Sequence, residues 1–332
     1  MGAYIIGSGV CLPDRVVTNE ELAEKLGIEP ERIYKSSGIK RRRWADPGTL
    51  TSALATRALA HAIADAKITA SQIDYLLLGT MTPDRFVPGS ASAVQTSAGL
   101  GEIPCLDIRA ACCNALYALQ LARALILSGA ASQVAICLAE IQSCYLDLSP
   151  EAATLSMLFG DGASALIVSA APREGAIEIL DVHLATDGAF RDDLGIRCPG
   201  TEFGTAPALC ETFAVDFAPR MNGQSVILHA SRRIVSACQA LLERNHLTKR
   251  DIRWIVPHQA NANLLARIAR GLDFARAGGV VSVIEDFGNS SSASMGIALD
   301  SLRHSGSIEP GDYLLLPAFA AGFTWGAALC RA

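Results

Sequence analysis

Charge is scarce in this chain. Only 18% of its 332 residues are Asp, Glu, Lys or Arg, against roughly 25% in typical soluble domains. Aromatics are scarcer still at 6%, yet half of all residues are hydrophobic. Ala, Leu, Ile and Val supply that excess. Disorder is excluded, because it needs low hydrophobicity and high net charge. The net charge of −5 is diffuse and argues against a dedicated nucleic-acid binder. No apolar run meets the length of a membrane span. The richest stretch, 110–139, is broken by Arg123 and by Ser128-Gly129. The opening MGAYIIGSGVCLPD has no basic segment ahead of a long apolar run, so it does not read as a secretory leader. Ile6 stands where a myristoylation signal takes Ser or Thr. A cytoplasmic protein with no membrane partner is expected.

Metal-binding patterns are missing too. The ten cysteines form no CxxC pair, and the six histidines show no HxxxH spacing. No metal is expected. The chain is too long to need disulfide staples. Cys11, Cys105, Cys137, Cys144, Cys210, Cys238 and Cys330 mostly read as small buried hydrophobes. What is present is an alternation of short β-branched or Leu-rich runs with longer Ala-rich segments. YIIGSGV, DYLLLGTM, QVAICLAE and SALIVSA read as strands. Residues 54–66 and 115–127 have helical spacing, the second stopped by Ser128-Gly129. This is an α/β pattern.

The chain also repeats itself. KITASQIDYLLLG, from Lys67, aligns without gaps on HLTKRDIRWIVPH, from His246, at an offset of 179. ALILSG matches SLRHSG at 177, and the strands QVAICLA and DYLLLPA follow at 179. Two related halves are expected, 1–172 and 173–332, with a loop or cap insertion at about 187–217. The 177 offset places Asn289 on Cys112.

Four stretches can carry chemistry. In DIRAACCNALYALQLA a strand ends and a helix begins around Cys112 and Cys113. Backbone N–H groups and the helix dipole there favour a thiolate. A buried structural cysteine is the commoner fate, and the two compete. WIVPHQANANLL delivers His258 at the C-terminal end of a strand, where open α/β sheets bind ligands. EDFGNSSSASMGIALDSL turns tightly at Gly288-Asn289, and Asn289 is either a helix cap or a donor to substrate. PAFAAGFTWGAAL has a small-residue turn that allows close backbone approach. Discounted are Gly7-Ser8-Gly9, because Leu12-Pro13 follows where a dinucleotide helix would open, and the basic run Lys40 to Arg43, which reads as a solvated face.

Together these motifs resemble the thiolase-fold condensing enzymes, and most closely the β-ketoacyl-acyl-carrier-protein synthase III group. The likeness runs through IIGSGVCLP, GIKRRR, AAC at 110–112, FGDGA at 159–163, VPHQAN at 256–261, GNSSSAS at 288–294 and GFTWG at 322–326. The resemblance implies a five-layered αβαβα sandwich of two duplicated halves and a homodimer. It implies a Cys-His-Asn triad of Cys112, His258 and Asn289, with backbone oxyanion donors at Cys112 and at Ala321-Gly322. Acyl-CoA would load Cys112, and a malonyl thioester, from acyl carrier protein or CoA, would then lose CO₂ and condense. No cofactor is implied.

Departures from the family pattern fall in the substrate sites. Arg32 stands where an adenine-stacking Trp is usual, so Arg32 is assigned to CoA. Ser36 and Ala153 replace arginines near the CoA phosphates, and Asn263 replaces a basic residue used to dock the carrier. Val87 replaces a Phe that closes the acyl pocket, and Asn114-Ala115 alters the wall after the nucleophile. Phe159, Asn261 and Phe319 are assigned to the same pocket. Asp84 lies in the Val87 loop and is given no role. A specialised pathway carries about equal weight with fatty-acid synthesis. The competing activities are acyl transfer to an alcohol or amine and condensation of two acyl thioesters without malonate. The apolar excess is assigned to two central helices, 115–127 and 292–302, uncharged all round, and to a dimer face that would leave a monomer unstable.

Overall fold

A computed structural model describes residues 2–198, 200–201, 218–273 and 279–332. Nine strands form one continuous sheet. In chain order its members are β1 (Tyr4–Cys11), β4 (Tyr75–Gly79), β5 (Cys105–Ile108), β6 (Gln133–Glu140), β7 (Gly162–Ser169), β8 (Ile177–Thr186), β11 (Ile252–Ile255), β12 (Tyr313–Ala320) and β13 (Thr324–Arg331). Two short pairs lie outside it: β2 (Val16–Thr18) with β3 (Arg41–Arg43), and β9 (Leu194–Gly195) with β10 (Arg220–Met221).

The strand order is β11-β12-β13-β8-β1-β7-β6-β4-β5. Split between β1 and β8, it becomes two copies of one path. The first half runs β1-β7-β6-β4-β5 and the second β8-β13-β12-β11, closed by a parallel bridge from Ile255 to Val280. Only two residue pairs, Tyr4 with Glu178 and Ile5 with Ile177, join the halves through β1 and β8. This is the duplicated α/β sandwich that the sequence implied.

Strand periodicity sorts the core into layers, because successive side chains point to opposite faces. On β6, Val134, Ile136 and Leu138 face the centre, while Ala135, Cys137 and Ala139 face outward. On β12, Leu314, Leu316 and Ala318 face the centre and Leu315 and Phe319 face out. The central layer holds the helices Asn114–Leu127 and Ser294–His304. The helix Thr51–Asp65 covers the outer face of the first sheet. The helices Gly223–Arg244 and Ala262–Gly271 cover the outer face of the second. Both sheet faces are therefore dry, and the strands read as unbroken apolar runs.

The repeat corrects two sequence alignments. Lys67 and His246 both adopt positive φ, 50° and 56°, at the offset of 179. Each opens a turn closed by a threonine N–H on a side chain three residues on, Thr69 to Gln72 and Thr248 to Asp251. At the next turn the offset is 180: Ala111 has φ 49° and Ser291 has φ 46°. Ser292 therefore stands where Cys112 does, and Asn289 matches Arg109 instead. The helix that follows is 14 residues long in the first half and 11 in the second, which produces the 177 seen at its far end. The inward sets of β6 and β12 also align at 180, not 179. A one-residue slip would have put each strand's core residues on the wrong face.

The central helices are not free of charge. Arg123 donates to the carbonyl of Ile179, and Arg303 binds Asp65 and Ser8. Of the cysteines read as buried, Cys144 is exposed and Cys105 half-buried; Cys210 and most of the 187–217 insertion lie outside the described residues. No helix among them is long and apolar enough to cross a membrane.

Candidate active site

Strand β5 ends at Ile108, and a one-turn 3₁₀ segment, Ala111–Cys113, leads into the helix Asn114–Leu127. The turn is held by the Asn114 side chain, whose Oδ1 accepts the Ala110 N–H at 2.6 Å. Ala111 bears left-handed φ, a conformation costing an L-residue about 1–2 kcal/mol, and such strain collects at functional turns. It separates the two candidate thiols. Cys113 is fully buried, with Sγ against the Thr324 carbonyl at 3.5 Å. Cys112 lines a cavity of about 440 Å³ and meets Ser291 Oγ at 3.5 Å. Loss of water pushes the Cys112 thiol up to about 11, against the pull of the Ser291 hydroxyl. At neutral pH Cys112 is therefore a thiol.

His258 reaches the same cavity. Its backbone N–H donates to the Pro317 carbonyl on β12 at 2.9 Å. Nδ1 lies 2.7 Å from Ser294 Oγ, which leaves Nε2 as the free ring nitrogen. Ser294 has two acceptors in reach, this Nδ1 and the Ser291 carbonyl at 3.0 Å, and it accepts the Gln259 N–H. Its rotor therefore selects the histidine tautomer. Burial lowers the imidazole to about 4, so His258 is neutral at pH 7.

Asn289 follows Gly288, whose φ of 66° and ψ of −162° suit only glycine. Backbone bonds Asn289 N–H to Leu158 and Gly160 N–H to Asn289 tie this turn to the FGDG segment. Asn289 Oδ1 accepts the Ser291 N–H at 2.9 Å, which orients the amide oxygen and releases its NH₂. The helix-cap alternative is thus only partly right: the oxygen caps the turn while the residue still lines the cavity.

Among the other assigned residues, Phe159, Asn261, Phe319 and Ala321 line the cavity. Asn261 also caps the helix Ala262–Gly271 through the Leu264 N–H. Arg32 does not join them; it is exposed on the helix Pro30–Ser37. Asn114 is buried in its own turn and does not form the wall. Val87 is 75% exposed and lies outside the wall, which its neighbour Phe86 joins instead. Gly322 sits beside the lining residue Ala321 without lining the cavity itself. Asp84 does line it, but its Oδ1 accepts the Ser52 N–H.

Sequence reasoning missed three groups. Ser291 and Ser294 were hidden in a serine run. Glu140 ends an otherwise apolar strand, which is the signal that marks it. Its buried carboxylate accepts the Met81 N–H on both oxygens and bonds from Thr82 Oγ1 and Gln142 Nε2 on Oε2. Burial raises it to about 7 despite hydrogen bonds from Ser292, Met81 and Thr82.

Comparison with known proteins fits this arrangement. Residues 106–188 match the family model of 3-oxoacyl-[acyl-carrier-protein] synthase III, and 242–332 match its C-terminal model. The β-ketoacyl-[acyl-carrier-protein] synthase III of Chlamydia caviae is 36% identical over 330 residues, spanning 99% of this chain and 96% of that one. This chain belongs to the synthase III family. The family's structures agree: the Aquifex aeolicus 3-oxoacyl-[acyl-carrier-protein] synthase III superposes with a TM-score of 0.90 at 31% identity, covering 100% of both chains. The priming β-ketosynthase of the R1128 polyketide pathway gives 0.89 at 29%, covering 99% of this chain and 96% of that one. The chain is thus an acyltransferase and condensing enzyme on a thiolase fold.

Proposed function

We propose that this synthase III chain loads an acyl group from acyl-CoA onto Cys112 and condenses it with a malonyl thioester. The observation that carries the reading is one apolar cavity shared by a thiol, a neutral imidazole and an oriented amide NH₂. In the first stage the Cys112 sulfur attacks the thioester carbonyl, and CoA leaves as a thiol with the cysteine's proton. The backbone N–H groups at Cys112 and near Ala321-Gly322 are assigned to the oxyanion. In the second stage the malonyl C–C bond breaks, CO₂ leaves and its electron pair forms an enolate. With Ser294 donating to Nδ1, His258 carries its proton on Nε2 and donates to that enolate oxygen beside the Asn289 NH₂. The enolate carbon attacks the acyl-Cys112 carbonyl, a 3-oxoacyl thioester departs, and Cys112 leaves as thiolate and is reprotonated.

The chemistry draws on decarboxylation and calls for no cofactor. Acyl carrier protein is the expected bearer of the malonyl group, and the cytoplasm is the expected compartment. The cavity's aliphatic wall, with Leu155, Leu158, Ile196, Met221 and Val226, favours a donor longer than acetyl. A homodimer is also proposed. Strand β5 ends the sheet, its outer edge unpaired among the described residues, and Leu106, Phe86 and Val87 are 42%, 77% and 75% exposed.

The test is product analysis with acyl-CoA and malonyl thioester. Condensation gives one 3-oxoacyl product per CO₂ released. Acyl transfer to an added alcohol or amine with no CO₂ would replace this reading.

A further inference from the structure

Among the described residues the cavity wall carries three charged side chains: Asp84, Arg85 and Arg109. Condensation of a plain hydrocarbon acyl group uses none of them. Asp84 is engaged by the Ser52 N–H at 3.0 Å. Neither arginine has a hydrogen-bond or ion-pair partner among the described residues. Both belong to the first-half wall. Arg85 sits in the 81–89 segment, and Arg109 lies between β5 and the nucleophile turn, three residues before Cys112. Arg109 occupies the place that Asn289 holds in the second half. Its field reaches another wall residue: burial pushes the Tyr145 phenol up, and the Arg109 charge pulls against that rise.

Both arginines are exposed to solvent at the cavity wall, and a bound hydrocarbon chain offers their charges no partner. A carboxylate on the chain supplies the missing partner, with the fork geometry that guanidinium matches. The malonyl carboxylate is the wrong occupant. It has to leave as CO₂, and pairing it would stabilise the ground state against that loss.

We propose that the preferred acyl donor bears a carboxylate on its chain, a dicarboxylic acyl thioester, held by Arg109 and Arg85. This inference rests on Cys112 as the acylated nucleophile. The loading stage alone tests it, with full-length protein and no malonyl thioester. Donors are compared in pairs of equal chain length, butyryl-CoA with succinyl-CoA and hexanoyl-CoA with adipoyl-CoA. Intact-protein mass gives the rate of Cys112 acylation by each. The carboxylated donor is expected to lead by roughly tenfold, and its lead is expected to shrink as salt screens the pair. R109Q and R85Q should each cut the ratio several-fold, with R109K keeping part of it. The ratio within one protein cancels any loss of folded enzyme. Equal or faster loading of the neutral donors overturns the proposal, as does a ratio unmoved in both glutamine variants. Failure of all four donors to label Cys112 would remove the nucleophile assignment itself and this inference with it.

Discussion

The two halves of the molecule place the same turn on either side of one cavity and fill it with different chemistry. In the first half, Ala111 takes left-handed φ, Cys112 carries the thiol and Asn114 ties the turn to itself. In the second, Ser291 takes the left-handed position, Ser292 replaces the cysteine and Ser294 reaches out to His258. The strand ends differ in the same way. Strand β4 stops at Gly79, where a Cβ would meet the Asn114 Cβ at 2.7 Å. At the offset of 179, the second half carries His258 there. Duplication supplied two strained turns, each leading into a central helix, the first of them at the C-terminal end of β5, where α/β sheets bind ligands. The two halves differ in what they carry there, a cysteine thiol in the first and hydrogen-bonding serine, asparagine and histidine side chains in the second.

That division can be broken one side at a time. The largest effect is expected in the second half: H258A should lower condensation on the order of 10³-fold, measured as 3-oxoacyl product, while Cys112 still accepts the acyl label. Glu140 comes next, because its charge acts on Cys112 and it takes a hydrogen bond from Ser292. Its carboxyl is held near 7 in the folded protein against an ordinary 4.5. The folded state therefore binds the proton more tightly, and stability falls as pH rises from about 4.5 to 7. E140Q escapes that loss. Its stability relative to wild type, read by chemical denaturation at pH 5 and pH 8, should improve by about 2–3 kcal/mol at the higher pH. A gap that is the same at both pH values would contradict the buried charge.

Smaller effects probe the geometry. G79A overpacks the gap against Asn114 and Leu138 and should cost about 1–3 kcal/mol in denaturation experiments. S291A removes the one side-chain hydroxyl beside the thiol among the described residues but keeps the backbone N–H that Asn289 uses. Alkylation of Cys112 by iodoacetamide should slow by roughly 2–10-fold, with its pH profile moved upward. Because the thiol already lies near 11, the wild-type alkylation rate should still be climbing at pH 9. A plateau near pH 7 would show an ion pair that the described residues do not supply.

Much of this was legible from residue order. The Cys112, His258 and Asn289 motifs each stood at a strand end or tight turn, and the repeat exposed the duplicated fold. Its exact registers did not show in the sequence. A helix shortened by three residues, then repaid between Gly306 and Tyr313, keeps the overall offset near 179 while shifting the turn to 180. Small-residue turns have no periodicity to reveal this. The pocket wall was less legible still. Val87 and Asn114 were placed by analogy with a family position, yet neighbouring side chains took the wall, because which residue of a loop faces inward depends on its backbone path. Arg85 and Arg109 were passed over because isolated arginines usually lie on solvated faces.

The separation of labour between the turns is tested most directly by pairing C112A with N289A and following two signals in each, acyl label on the protein and CO₂ from a malonyl thioester. C112A should carry no label and still release CO₂, whereas N289A should take the label on Cys112 and release almost none. Loss of CO₂ release in C112A, or its survival in N289A, would contradict a nucleophile and an enolate site built on opposite halves.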